Sequence, residues 1–203
     1  MIIGITGAMK SGKKTVIDYF VSKGFEKVSL SDFLVKECEH DSLKPTKKNL
    51  LKEEIKLKNQ FGDWILGKIA KNFVSGKKDY ILVSIKTPSE AKELKKIKNF
   101  HLINVVASPE LRFKRFKSQH PRSKKYSSLN DFISKEKKDQ ENLNNENHNL
   151  IDIYNLCDIV LSNNYLKKED LHTVLAKMYN DLKIKEKSKL VKKRSFFNLF
   201  NFF

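Results

Sequence analysis

Arginine is rare in a chain that is otherwise strongly basic. Only four of the 41 basic residues are arginine (Arg112, Arg115, Arg122 and Arg194), although the formal net charge is +17. A dedicated nucleic-acid face would concentrate arginine and aromatic residues. Here lysine is spread through every helical pattern, so the charge reads as a lysine-biased surface plus a basic C-terminus, and no specific nucleic-acid partner is expected. Cysteine is equally scarce: Cys38 and Cys157 are far apart and show no ligand spacing. Two inert thiols in a reduced, cytoplasmic setting are the expectation. The five histidines contain no pair at metal spacing. No apolar stretch approaches the roughly 20 residues of a membrane span, and the first residues lack the cationic-then-apolar order of a secretory signal. Trp64, the single tryptophan, reads as an apolar anchor on a helix following Gly62.

What is present is a core-forming chain with a distinctive start. At 203 residues and 39% apolar it can bury one substantial core, expected over residues 1–182, with 183–203 as a separate tail. An apolar run, Met1-Ile2-Ile3-Gly4-Ile5-Thr6, leads into Gly7-Ala8-Met9-Lys10-Ser11-Gly12-Lys13 and then into a helical pattern. This is the G-x-x-x-x-G-K phosphate cradle in its proper context. Two glycines let backbone N–H groups turn inward, the new helix contributes its positive end, and Lys13 adds a full charge. The cradle residues Gly7, Ala8, Lys10, Ser11, Gly12, Lys13, Lys14 and Thr15 are therefore the candidate nucleotide ligands. The position after Lys13, ordinarily a metal-binding Ser or Thr, is Lys14, and Thr15 follows one step later as the candidate metal ligand.

Short β-like runs alternate with helical patterns along the rest of the chain. Strands are expected at Ile2–Thr6, Lys27–Leu30, Tyr80–Ile85, His101–Val106 and Asp158–Leu161. Helices are expected at Lys13–Lys23, Lys47–Asn59, Asp63–Val74, Ser89–Ile97, Pro109–Lys117, Leu129–Leu143 and Lys168–Leu182. That alternation predicts an α/β fold, a parallel sheet covered on both faces, with ligands at the carboxyl ends of the strands. Ser118–Ser128 is polar and basic, as expected of an exposed loop, and Asn142–Asn149 reads as a surface excursion.

At the close of the second strand, Ser29-Leu30-Ser31-Asp32 places a carboxylate beside the cradle. Asp32 either accepts a proton or hydrogen bond from a substrate or holds a hydrated metal; alternatively Ser31 or Asp32 caps the helix that follows. The C-terminal stretch Lys183–Arg194 carries seven basic residues against one acid, and five phenylalanines follow before the end. Residues 184–203 suit a membrane surface, with lysines at the headgroups and phenylalanines in the interface, or else the aromatics fold onto the core or onto another protein.

The ordered segments GITGAMKSGKKT, SLSDFL, LKPTKKNLL, FGDWILGKIAKNF, VSIKTPSEAKELKK, VVASPELRFKRF and CDIVLSNN resemble the P-loop nucleotide kinases over residues 1 to about 180. The likeness is to the group of dephospho-CoA kinase and deoxynucleoside monophosphate kinase, which includes the kinase-like half joined to deoxycytidylate deaminases; the deaminase motifs themselves are absent. The resemblance implies a P-loop NTPase fold with a five-stranded parallel sheet of order 2-3-1-4-5 and a small helical lid. It implies ATP and Mg²⁺ as cofactors, with Gly7, Gly12, Lys13 and Thr15 on donor phosphates and Asp32 facing the acceptor. Lys86 would join Asp32 in holding the acceptor, Arg112, Arg115 and Arg122 would belong to the lid, and Asn163-Asn164 would approach the adenine or form a solvent turn. Lys13, Asp32, Arg115 and Arg122 would carry catalysis.

Departures from that pattern stand at Lys14 in the loop, after Arg122, where Ser-Lys-Lys takes a place that relatives often give to an acid, and at the end of the third strand. The relatives end their third strand in D-x-I-R-N-P-G-E, and the matching residues here are Val83-Ser84-Ile85-Lys86-Thr87-Pro88-Ser89-Glu90. The acid is replaced by Val83 and the arginine by Lys86, which keeps charge but lacks the bidentate fork. Two functions are therefore expected: an ATP-dependent kinase acting on a deoxynucleoside monophosphate or dephospho-CoA, or a catalytically impaired nucleotide-binding module with a membrane- or partner-binding tail.

Overall fold

A computed structural model describes residues 1–74, 78–142, 150–165 and 167–200. The strands β1 (Ile2–Thr6), β2 (Glu26–Ser29), β3 (Tyr80–Val83), β4 (Phe100–Val106) and β5 (Ile159–Ser162) form one parallel sheet in the order β2-β3-β1-β4-β5. The order is the expected 2-3-1-4-5. Every residue of β1 and β3 is buried, as strands covered on both faces require. Ile2 pairs with Tyr80 on one side and with Phe100 on the other, and the β1–β4 ladder continues to Thr6 opposite Asn104. Gly4 sits at the centre of this sheet because a Cβ there would lie 2.6 Å from the Phe100 ring and 2.9 Å from Leu102.

The helices are α1 (Lys13–Ser22), α2 (Leu30–His40), α3 (Lys47–Phe61), α4 (Ile65–Phe73), α5 (Pro88–Leu94), α6 (Pro109–Gln119), α7 (Leu129–Asn142), α8 (Leu150–Asn155) and α9 (Lys168–Phe200). Their starts follow local chemistry. Thr46 accepts from the Asn49 amide to cap α3, and Ser108 accepts from the Leu111 amide to cap α6 just before Pro109. Thr87 and Glu90 form a reciprocal capping box at α5.

The main core joins β-strand residues such as Ile2, Val28 and Leu82 to Leu34 of α2, Leu57 of α3, Leu66 of α4 and Leu94 of α5. A smaller aromatic cluster, Phe116, Tyr126 and Phe132 with Met9 and Phe113 against it, ties α6, α7 and the segment between them to the phosphate loop. Tyr126 stands edge-on to Phe116 and to Phe132, with ring centres 4.8 and 4.9 Å apart. That packing corrects the expectation of a wholly exposed loop at Ser118–Ser128: Ser118 and Gln119 complete α6, and Tyr126 is buried.

Other boundaries differ for identifiable reasons. β3 stops at Val83 because Ser84 takes φ +63°, which breaks the extended ladder. α2 begins at Leu30, so β2 ends one residue early and Ser29 takes the cap position without a side-chain cap bond; neither Ser31 nor Asp32 performs the capping role considered for them. α8 was not expected from the sequence. In the Asn142–Asn149 segment, residues 143–149 lie outside the described residues, as do residues 201–203 of the aromatic end. The chain forms two compact units, Ile2–Asn164, and Tyr165–Phe203 together with Met1. In the second, α9 continues well past the expected end at Leu182, with Leu171, Leu175 and Leu182 buried along it. Among the described residues no helix is long and apolar enough to cross a membrane.

Candidate functional site

The loop between β1 and α1 has backbone geometry that its glycines alone permit. Gly7 has φ +138° and Gly12 φ +101°. A Cβ on Gly7 would lie 2.3 Å from the Val105 carbonyl oxygen of β4, and one on Gly12 would lie 2.0 Å from Asn163 Nδ2. The loop is thus pressed against the carboxyl ends of β4 and β5. Its far side opens at the start of α1, whose first N–H groups have no acceptor within the helix. No acidic residue occupies the first turn of α1 to offset the positive end of its dipole.

Lys13 closes the loop on itself. Its Nζ donates to the Gly7 carbonyl at 2.6 Å and to the Ala8 carbonyl at 2.8 Å. Burial pushes its ammonium down from 10.5 to about 8; the Arg112 guanidinium pushes the same way and the Glu136 carboxylate opposes both. Ser11 is fully buried, and its Oγ has no hydrogen-bond partner among the described residues. Left-handed glycines, an uncapped helix start, a lysine folded inward and an orphaned hydroxyl together fit a polyphosphate.

A second layer of side chains braces the loop from behind. Arg112 of α6, almost fully buried, donates from Nε to the Ala107 carbonyl at 3.1 Å and from Nη1 to the Met9 carbonyl at 3.3 Å. Its fork meets both oxygens of Glu136 on α7 at 2.5 and 2.7 Å. Arg115 donates to the carbonyls of Ser11 at 3.2 Å, Lys10 at 3.4 Å and Asn163 at 2.9 Å. Asn163 is buried and returns a bond from Nδ2 to the Ser11 carbonyl at 2.7 Å. Asn163 is therefore no solvent turn; it is a wall of the loop.

The remaining expected ligands fall in varied places. Lys10, at φ +61°, sends Nζ to Gln119 Oε1 at 2.6 Å and stands 3.2 Å from His120 Nε2, at the end of α6. Lys14 is exposed and pairs with Asp18 at 2.8 Å along α1. Thr15 is half-buried in the first turn of α1, and Ala8 supplies one of the two carbonyls that hold Lys13. Arg122 is exposed in the turn that follows α6. The two α6 arginines expected in a lid instead grip loop backbone.

Asp32 is exposed in the first turn of α2. Adjacent strands lie about 4.8 Å apart, so the end of β2 stands about 10 Å from the end of β1, with β3 between. In that gap three hydroxyls converge: Ser29 Oγ is 2.9 Å from Ser31 Oγ and 3.0 Å from Ser84 Oγ. Lys86 Nζ lies 3.3 Å from Glu54 Oε2, and Lys58 takes the other oxygen at 2.8 Å. Burial alone would raise the Glu54 carboxyl; the two ammonium groups outweigh it and hold it below the usual carboxylate range. Glu90 Oε2 accepts from the amides of Lys86 at 2.8 Å and Thr87 at 3.1 Å, fixing the backbone at Lys86.

Glu136 and Glu54 were missed from the sequence. Both sit in helices crowded with Glu and Lys, where nothing in spacing separates a buried partner from a solvated one. Among the described residues no group of three or more His, Cys, Asp or Glu could hold a metal ion.

The fold has parallels among solved structures. Shikimate kinase from Bacteroides thetaiotaomicron superposes with a TM-score of 0.54 at 11% identity, covering 89% of this chain and 98% of that one. The fold is that of the P-loop kinases. In sequence, the chain is similar to a UPF0200 protein of Thermococcus kodakarensis, 27% identical over 126 residues (59% of this chain, 68% of the relative). A UPF0200 protein of Pyrococcus abyssi is 24% identical over 188 residues, 88% of this chain and 97% of the relative. No family model matches the chain.

Proposed function

We propose that this protein binds ATP in the Gly7–Thr15 cradle and transfers its terminal phosphoryl group to a small phosphorylated acceptor, a deoxynucleoside monophosphate or dephospho-CoA. The observation that carries the reading is the inward ammonium of Lys13 between Gly7 and Ala8, inside a loop braced by Arg112, Arg115 and Asn163. Loop and α1 amides hold the donor phosphates. Lys13 leaves the two carbonyls and meets the β and γ oxygens, where negative charge moves during transfer. Magnesium, when bound, would neutralise phosphate oxygens, and Thr15 would supply the hydroxyl that helps hold it. Asp32 orients the acceptor: it takes the proton from the attacking hydroxyl of dephospho-CoA, or positions the attacking phosphate oxygen of a deoxynucleoside monophosphate, while Lys86 supplies positive charge on the acceptor side. Arg122, exposed after α6, is free to swing onto the phosphates as the segment closes.

A panel of deoxynucleoside monophosphates and dephospho-CoA, each mixed with ATP and Mg²⁺, tests the proposal directly. The expected result is ADP release that depends on one acceptor class. The second reading, a nucleotide-binding module without turnover, is favoured by Lys14 turned away from the cradle and Val83 in the place of an acid. ATP binding that ignores Mg²⁺ and yields no ADP with any acceptor would establish it.

Affinity for the anion should depend on pH with a definite sign. Lys13 is charged below about 8 in the free protein, and a bound phosphate keeps it charged to higher pH. Affinity for inorganic triphosphate is therefore expected to be level up to pH 8 and to fall above it, by up to about tenfold per pH unit. Calorimetric titrations between pH 7 and 9.5 check this, and a flat profile would contradict it.

A further inference from the structure

Away from the phosphate loop, α4 and α5 border an open groove of about 370 Å³ lined by Trp64, Lys68, Ser89, Lys92, Glu93 and Lys96. Its size falls in the range of small-molecule sites. Trp64 departs from the expected apolar anchor: it precedes α4 and is 39% exposed. The indole is nevertheless fixed. It lies against Gly62, where a Cβ would sit 2.8 Å from Trp64 Nε1 and where φ is +97°, so a residue with a side chain would both strain the backbone and displace the ring. The groove walls are fixed as well. At Gly67 a Cβ would lie 2.8 Å from the Glu90 carbonyl oxygen, so α4 and α5 meet backbone to backbone.

The charge in this groove is one-sided. Glu93 is its only acid, and it is already shared between Lys71, at 2.9 Å, and Lys96. Lys68 stands 5.2 Å over the Trp64 ring, and among the described residues neither Lys68 nor Lys92 has a carboxylate partner. A bare anion would leave the indole in water, and a neutral aromatic would leave the ammonium groups uncompensated. One ligand class meets both demands: a flat base stacks on an exposed indole while its phosphate accepts charge-assisted hydrogen bonds from lysines.

We propose that the Trp64–Lys68–Lys92 groove is a second nucleotide site, separate from the phosphate loop, that takes a nucleoside monophosphate. The site does not depend on the loop's activity. Because Trp64 is the only tryptophan of the chain, its fluorescence reports on this groove alone. In the full-length Lys13→Ala variant without Mg²⁺, AMP should quench that emission along a saturable curve, and the unaltered chain should give the same curve. The pair Lys68→Glu and Lys92→Glu should raise the half-saturating concentration by about tenfold or more with the far-ultraviolet spectrum unchanged, since two attractive charges become repulsive. Adenosine should need about ten times more than AMP, and inorganic phosphate should not quench. Absence of a saturable quench, indifference to the charge reversals, or equal binding of adenosine would overturn the proposal. So would an oligoadenylate that binds where AMP does not, because it would mark a polymer surface.

Discussion

Lys13→Ala should weaken ATP binding in the Gly7–Thr15 cradle by about a hundredfold or more and abolish ATP turnover, while leaving the folded protein at least as stable as before. Removing an ammonium that makes charge-assisted contacts to a triphosphate costs about 3 kcal/mol or more, which is roughly a hundredfold or greater loss of affinity. Stability should move the other way. A depression of the Lys13 ammonium from 10.5 to about 8 corresponds to about 3 kcal/mol against its charged form in the folded chain at neutral pH. Its bonds to the Gly7 and Ala8 carbonyls recover part of that, so the alanine variant is expected to gain about 1–2 kcal/mol. The sign has a second consequence. Between pH 8 and 10.5 the unfolded chain holds more protons at this residue than the folded one, so native stability rises with pH through that window. The variant should lack this rise. Urea denaturation at pH 7 and pH 10, beside an ATPase assay, separates the outcomes, and retained turnover in the variant would end the kinase proposal.

Glu136→Gln should destabilise the fold by about 2–4 kcal/mol. The Arg112 side chain is only 7% exposed and Glu136 only 18% exposed, so the glutamine leaves a charge in low dielectric without its counter-charge. The loss stays below that of a wholly buried pair because the Ala107 and Met9 carbonyls still accept from Arg112. The loop should respond as well. Glu136 is the one group resolved as raising the Lys13 ammonium, so its neutralisation lowers that ammonium below about 8. The pH at which triphosphate affinity begins to fall should move downward together with the midpoint of urea unfolding. Replacing both partners with apolar residues, Arg112→Met with Glu136→Leu, should cost less than the single change. A stability loss under about 0.5 kcal/mol in Glu136→Gln would mean that the pair is solvated in solution.

The loop and the sheet were legible because their signals are local. Gly7, Gly12 and Lys13 bear on one backbone geometry, and strands buried on both faces announce themselves as apolar runs at Ile2–Thr6 and Tyr80–Val83. The strand order came through resemblance, since periodicity alone does not say which strand lies beside which. The bracing of the loop was not legible. Apart from the bond from Arg112 to the nearby Ala107 carbonyl, Arg112, Glu136, Arg115 and Asn163 are 24 to 152 residues from the partners they hold, and each belongs to a residue type common at any surface. Long-range pairing chose which of them are buried. The same holds on the acceptor side, where Glu54 and Lys86 are 32 residues apart. Trp64 was misplaced for a related reason: an indole next to a helical pattern suggests a core anchor, whereas Trp64 is 39% exposed and its ring rests against Gly62.

If the cradle binds polyphosphate as proposed, the inward fold of Lys13 would also make it selective. Its two carbonyl bonds act as an internal competitor that every incoming anion must displace, at about 1 kcal/mol each. Chloride, sulfate or a lone orthophosphate offers few contacts in exchange, whereas a chain of phosphates touches the amides and the ammonium together. On that reading the loop would set a threshold that ranks ligands by the number of linked oxyanions.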